Sequence, residues 1–168
     1  LWFIMQLAAK APYRRRPVSS TLGSTTASSM PDSLKSPRLL LQPFVPIDAP
    51  ALFSFMSDGL AMQHTYVAPT LEQCTSRLSV YEAMRTERGF APWVVRESSS
   101  GQVVGWGGLS VDPDEPDWGV EVSYAFAPAA WGRGFATELV RYTVAHAFGP
   151  LSILEVHAFA MPANAASI

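Results

Sequence analysis

The segment Pro128-Ala129-Ala130-Trp131-Gly132-Arg133-Gly134-Phe135-Ala136 carries the chain's clearest chemical signal. Glycines two apart let a backbone curl tightly, turning several N–H groups outward beside a helix start, where the helix dipole also favours an anion. Such a turn can cradle phosphate. Arg133 has the charge to add a contact to a phosphate oxygen, or it is a solvated surface residue. A P-loop requires Gly-Lys-Ser/Thr, whereas Gly134 is followed by Phe135-Ala136; a dinucleotide fingerprint requires Gly or Ala at 137, which is Thr137. Taken alone, the two glycines are equally explained as a tight strand-to-helix turn. A second feature lies just upstream. Trp118, Val120, Val122, Tyr124 and Phe126 alternate with Gly119, Glu121, Ser123 and Ala125, which puts a lone carboxylate on the polar face of a strand. Glu121 there is either a proton acceptor or a solvated or salt-bridged strand residue.

The elements that must position these residues follow from the pattern around them. Arg38 to Phe44 reads as a first strand closed by Pro43 and Pro46, and Asp48 fits the N-cap of a short helix that ends before Gly59. Thr70 and Gln73 form a capping-box pair opening a second helix, with Leu71, Cys74, Leu78 and Tyr81 at helical spacing as far as Gly89. Pro92 to Glu97 and Gln102 to Val111 read as a hairpin across Ser98-Ser99-Ser100-Gly101. The alternating strand then runs from 118 to 126. Gly134 to Phe148 is an apolar helix, with Glu138 in its first turn and His146 in its last, both suited to the helix dipole. Ser152 to Met161 is a final strand, parallel to that at 118 to 126 through a crossover, and Pro162 to Ile168 reads as a helix start.

With 168 residues, 48% of them apolar, the chain holds one folded domain. A formal charge of −2 speaks against a nucleic-acid partner. No apolar run approaches the roughly 18 to 20 residues that cross a bilayer, so no membrane partner is expected. Cys74, the single cysteine, forms no disulfide within the chain and reads as a small core residue, fitting a reducing compartment. Residues 1–36 hold five basic side chains, Lys10, Arg14, Arg15, Arg16 and Lys35, against the one acid Asp32, with many Ser and Thr. That composition predicts a disordered leader before a domain at 37–168. It also suits an organellar transit peptide, so the expected location is cytoplasmic, or mitochondrial if the leader is a targeting segment.

The glycine turn resembles the acetyl-CoA signature of the Gcn5-related N-acetyltransferases, Q/R-x-x-G-x-G/A. Gly132 and Gly134 match its last two fixed positions, and Ala129 stands where the family has Gln or Arg. The string from Glu121 to Glu138, and Asn164-Ala-Ala-Ser167, are similar to the branch that includes the ribosomal-protein N-terminal acetyltransferases. The resemblance spans about Pro37 to Ile168. It implies an α+β, three-layer acyl-CoA N-acyltransferase fold, with a mixed, mostly antiparallel sheet, a splayed parallel pair and flanking helices. It implies that Tyr124, Ala125 and Phe126 pair with the pantetheine arm of acetyl-CoA, that Trp131, Gly132, Arg133, Gly134, Phe135 and Ala136 hold its pyrophosphate, and that Asn164 contacts the arm. Ser167 would stabilise or protonate the departing thiolate, and Glu121 would take the proton of the attacking amine.

The implied activity is acetyl transfer to a primary amine, on a protein N-terminus or a small molecule, by direct attack in a ternary complex. The other reading is an acyl-CoA-binding module of the same fold with weak or no turnover. The resemblance further places His64 and Tyr66 in the acceptor region, and leaves Trp93 and Trp106 to the core or the acceptor groove. A monomer or homodimer is expected. Family members add two strands after the helix near Asn164, so a chain ending at Ile168 is expected to lack them, to leave the last strand with an unpaired edge, and to be poorly soluble or weakly active.

Overall fold

The computed structural model describes residues 3–8 and 33–167. Seven strands form one sheet: β1 (Phe3–Ala8), β2 (Leu34–Lys35), β3 (Leu39–Gln42), β4 (Trp93–Glu97), β5 (Val103–Ser110), β6 (Glu121–Phe126) and β7 (Glu155–Ala160). Their order across the sheet is β1-β7-β6-β5-β4-β3-β2. Every neighbouring pair is antiparallel except β6 and β7. Helices α1 (Ala49–Met56) and α2 (Leu71–Arg88) cover one face, and α3 (Phe135–Phe148) covers the other.

Alternation along the strands fills two cores. On β4, Trp93 and Val95 point into the layer under α3 with Leu39, Leu41, Leu109, Phe135 and Leu139. Val94 points the opposite way, joining Trp106, Leu52, Phe55, Leu78 and Tyr81 beneath α1 and α2. Both tryptophans set aside as core or groove are therefore core. Cys74 is buried in the same layer as Tyr81, and burial pushes its thiol up, away from the reactive thiolate.

The helix ends follow local chemistry, with two exceptions. Thr70 caps α2 by accepting from the Gln73 amide at 3.1 Å, and Gly89 closes the helix, its amide donating to the Arg85 carbonyl at 3.0 Å. Asp48 stands at the N-cap of α1 but makes no cap hydrogen bond. Its buried carboxylate is spent instead on the Arg96 guanidinium, since a buried charge must be paired.

The second exception is His146. It is buried in the last turn of α3, with Nε2 unpartnered among the described residues. Burial lowers its pKa, so desolvation outweighs the dipole. The unfolded chain therefore binds a proton that the folded chain refuses. Stability should be complete above about pH 6.5 and be lost as pH falls from there toward the depressed folded value. In thermal melts this part of the acid slope should be missing from a His146→Leu variant; equal slopes would contradict it.

Within the stretch expected to be a disordered leader, the described residues form β1 and β2, and most of the rest of it lies outside the described residues. β1 pairs along all of β7, from Phe3 opposite Ala160 to Ala8 opposite Glu155. The outer edge of β7, expected to be bare, is thus hydrogen-bonded. The expected helix after it is a single 3-10 turn at Ala165–Ser167 within the described residues.

Candidate active site

β6 and β7 are joined at one place. Glu121 is in register with His157, and the His157 amide donates to the Val120 carbonyl at 2.8 Å; beyond that point no further pairing carries the two strands toward Phe126 and Ala160. From Glu121 to Phe126 the open flank of β6 is about 16 Å long, at roughly 3.3 Å per residue. Because the strands are parallel, the turns that follow them lie at the same end of the sheet, the carboxyl end where α/β sheets bind ligands.

At the top of this gap the chain passes through a 3-10 turn, Pro128–Ala130, and into α3. Gly132 (φ 69°) and Gly134 (φ 75°) both occupy the left-handed region, which a Cβ disfavours. Among the described residues the N–H groups of Gly132, Arg133, Gly134, Phe135 and Ala136 have no acceptor. They surround the N-terminus of a helix of 14 residues, where the dipole adds to their pull on an anion.

Trp131 behaves differently from its neighbours. Its amide donates to the Pro128 carbonyl at 3.1 Å, and its indole Nε1 donates to the Phe126 carbonyl at 2.8 Å. It braces the turn and offers no free amide, and it occupies one β6 carbonyl assigned by resemblance to the pantetheine arm.

Two arginines flank the Phe135 ring, Arg133 at 4.4 Å and Arg38 at 4.9 Å. The Arg133 guanidinium pairs with Glu97 and holds that carboxyl below the usual range. Arg38 donates from Nη1 to the Arg133 carbonyl at 2.7 Å and from Nε to Glu138 at 2.7 Å. Burial alone would raise the Glu138 pKa, but bonds from the Ser36 hydroxyl, the Arg38 amide and the Arg38 guanidinium outweigh it and lower the pKa. Glu138 thus ties the start of α3 to the strand at Leu39. In the sequence Arg38 is only the first residue of a strand; the sheet topology brings it to the turn.

Glu121 sits at the foot of the gap with 7% of its surface exposed. The Ser110 hydroxyl donates to its Oε1 at 3.1 Å, and the Ser110 and Ser123 hydroxyls are 2.8 Å apart. Burial raises its pKa, the Ser110 bond opposes this, and the nearby charge of Asp112 adds to the rise. The carboxylate is therefore buried and more basic than usual, neither solvated nor salt-bridged. Tyr81 lies close enough to feel the Glu121 charge, but burial pushes its hydroxyl up to about 12, outside the range of neutral-pH proton transfer.

Tyr124 and Ala125 are half-buried on β6 and Phe126 is buried. Asn164 and Ser167 follow β7; their amides donate to Met161 and Asn164 carbonyls at 2.8 and 3.0 Å, and their side chains make no hydrogen bond to a described residue. His64 and Tyr66 lie on the loop before α2. Tyr66 stacks under the Arg77 guanidinium at 4.6 Å and lines an open cavity of about 310 Å³ with Gln73, Ser76 and Asp114. Arg77 is itself paired with Asp114 at 2.9 Å. No group of His, Cys, Asp and Glu among the described residues is placed to hold a metal, and no described helix is long and apolar enough to cross a membrane.

The parted parallel pair thus has a buried carboxylate at one end and an amide-lined helix start at the other. Residues 38–168 match the family described as an acetyltransferase (GNAT) domain, and the chain belongs to that family. It is an acyltransferase enzyme of the acyl-CoA N-acyltransferase fold. YoaA of Bacillus subtilis, an uncharacterised N-acetyltransferase, is 24% identical over 136 residues, which are 80% of this chain and 76% of that protein. An acetyltransferase from Agrobacterium tumefaciens matches in structure with a TM-score of 0.71 at 23% identity, over 83% of this chain and 79% of that one. The ribosomal-protein-S5-alanine acetyltransferase of Vibrio fischeri matches with a TM-score of 0.59 at 17% identity, over 79% and 76%. At these identities the solved structures share the fold.

Proposed function

We propose that this acetyltransferase moves acetyl from acetyl-CoA to a primary amine by direct attack within a ternary complex. The observation that carries the reading is the row of unpartnered amides from Gly132 to Ala136, set at one end of a gap whose other end holds Glu121. The amides and the α3 dipole bind the donor's diphosphate. Tyr124, Ala125 and the free flank of β6 pair with the pantetheine arm, and Asn164 steadies it from the β7 side. This brings the thioester to the foot of the gap. Glu121 accepts a proton from the amine, a role that its raised pKa supports. Ser167 offers a hydroxyl to the thiolate as the C–S bond breaks. The acceptor is a protein N-terminus or a small-molecule amine.

The test is release of free thiol from acetyl-CoA with a short peptide bearing a free N-terminus, or with spermidine, as the amine. Release that depends on the amine is expected. Binding of coenzyme A without release in either case would return the chain to a binding role.

A further inference from the structure

The carboxylate at the foot of the gap has a neighbour on the other strand. His157 is the β7 residue in register with Glu121, at a strand spacing of about 4.8 Å. Residues paired in this way project to the same face of a sheet. The His157 imidazole is held on two sides: it stacks on Phe159 with ring centroids 6.1 Å apart, and Phe159 in turn packs on Trp118 at 4.7 Å. Gly119 borders its Cδ2–Nε2 edge. Nε2 lies 3.0 Å from the Glu155 carboxylate, two residues earlier on the same face. A carboxylate can only accept, so Glu155 at this distance favours the tautomer with the ring proton on Nε2 and the lone pair on Nδ1. Nδ1 has no hydrogen-bond partner among the described residues. The side chain keeps 22% of its surface open.

We infer that His157, oriented by Glu155, is a second proton acceptor in the active site and takes the first proton from the incoming amine; this rests on the amine acetyltransferase reading above. A primary aliphatic amine arrives at neutral pH as an ammonium and must lose two protons to become an amide. One buried carboxylate has room for one. Nδ1 of His157 removes the first, which frees the nitrogen lone pair. The N–C bond forms, the C–S bond breaks with its electron pair going to sulfur, and Glu121 takes the second proton. The proton on Glu121 then passes, through the Ser167 hydroxyl, to the thiolate and gives free thiol, and the proton on the half-open imidazole passes to water, which restores both bases. The arrangement follows the general logic of a base held in one tautomer by a carboxylate.

The experiment combines kinetics with spectroscopy on the full chain. His157→Gln should lower kcat for thiol release with peptide or spermidine by about tenfold or more, with the Kd for acetyl-CoA unchanged, and Glu155→Gln should lower it less. Long-range proton–nitrogen correlation spectra of wild type with labelled histidine should show the Nε2–H tautomer for His157 at pH 8. Equal kcat in wild type and His157→Gln, or an Nδ1–H tautomer, would overturn this inference and leave the acetyltransferase reading intact. No turnover by wild type with any amine would overturn both.

Discussion

Glu121→Gln should reduce amine-dependent thiol release by about two to three orders of magnitude, the usual loss for a general base, while coenzyme A binds as before. Gln keeps the size of the side chain and can still accept from Ser110 at the position of Oε1, so the change removes basicity and little else. The same variant should be more stable than wild type at neutral pH. Glu121's folded pKa is raised, so the folded state holds its proton more tightly than the unfolded chain. Ionising the group above that raised pKa costs stability, which a neutral side chain does not lose. The Tm advantage of the variant should therefore shrink as pH falls toward the ordinary carboxylate pKa of 4.5. A catalytic group kept in a site that destabilises its charged form is expected to show both effects. Lost activity together with lower stability at neutral pH would point to a structural role.

Gly107→Ala should be the most damaging small change in the sheet. A Cβ built on Gly107 would lie 2.6 Å from the Ser123 carbonyl oxygen, 2.6 Å from Tyr124 Cβ and 2.8 Å from Tyr124 Cα. Two of these are backbone atoms of β6, and Tyr124 cannot swing aside by changing rotamer. The strand must move, yet it is paired to β5 on one side and edges the donor gap on the other. Overpacking of this kind costs about 3 kcal/mol, which for a domain of this size is a Tm loss of about 10 °C. The displaced β6 should also weaken coenzyme A binding. A thermal melt unchanged from wild type would show that β5 and β6 can separate without cost.

The sequence predicted helices and strands well where one periodicity dominated, as in α2 with its Thr70 cap and Gly89 end, and in the alternation through Val122, Tyr124 and Phe126. What it hid was decided by pairing at long range. β1 lies among Arg- and Ser-rich residues whose composition reads as unfolded, and only its hydrogen bonds to β7 make it a strand. Asp48 has the right type and place for a cap, but Arg96 arrives from β4 and claims it. In the site, the turn from Gly132 to Ala136 and the carboxylate of Glu121 were visible because glycine spacing and a lone acid on an apolar strand are local signals. Arg38 and His157 were not, because each gains its meaning from a neighbour about 100 or 36 residues away across the sheet.

On the proposed reading, the unpartnered amides at the start of α3 grip a diphosphate. Ala136→Pro removes one of them at the second helical position, where the N–H has no partner within the helix and proline is tolerated; Pro50 already occupies that position in α1. Calorimetric titration should find coenzyme A bound about tenfold more weakly or worse by this variant, as expected for one lost hydrogen bond to a charged group, while pantetheine, which lacks the diphosphate, binds both proteins alike. Coenzyme A bound with equal affinity by a folded Ala136→Pro variant and wild type would contradict the account.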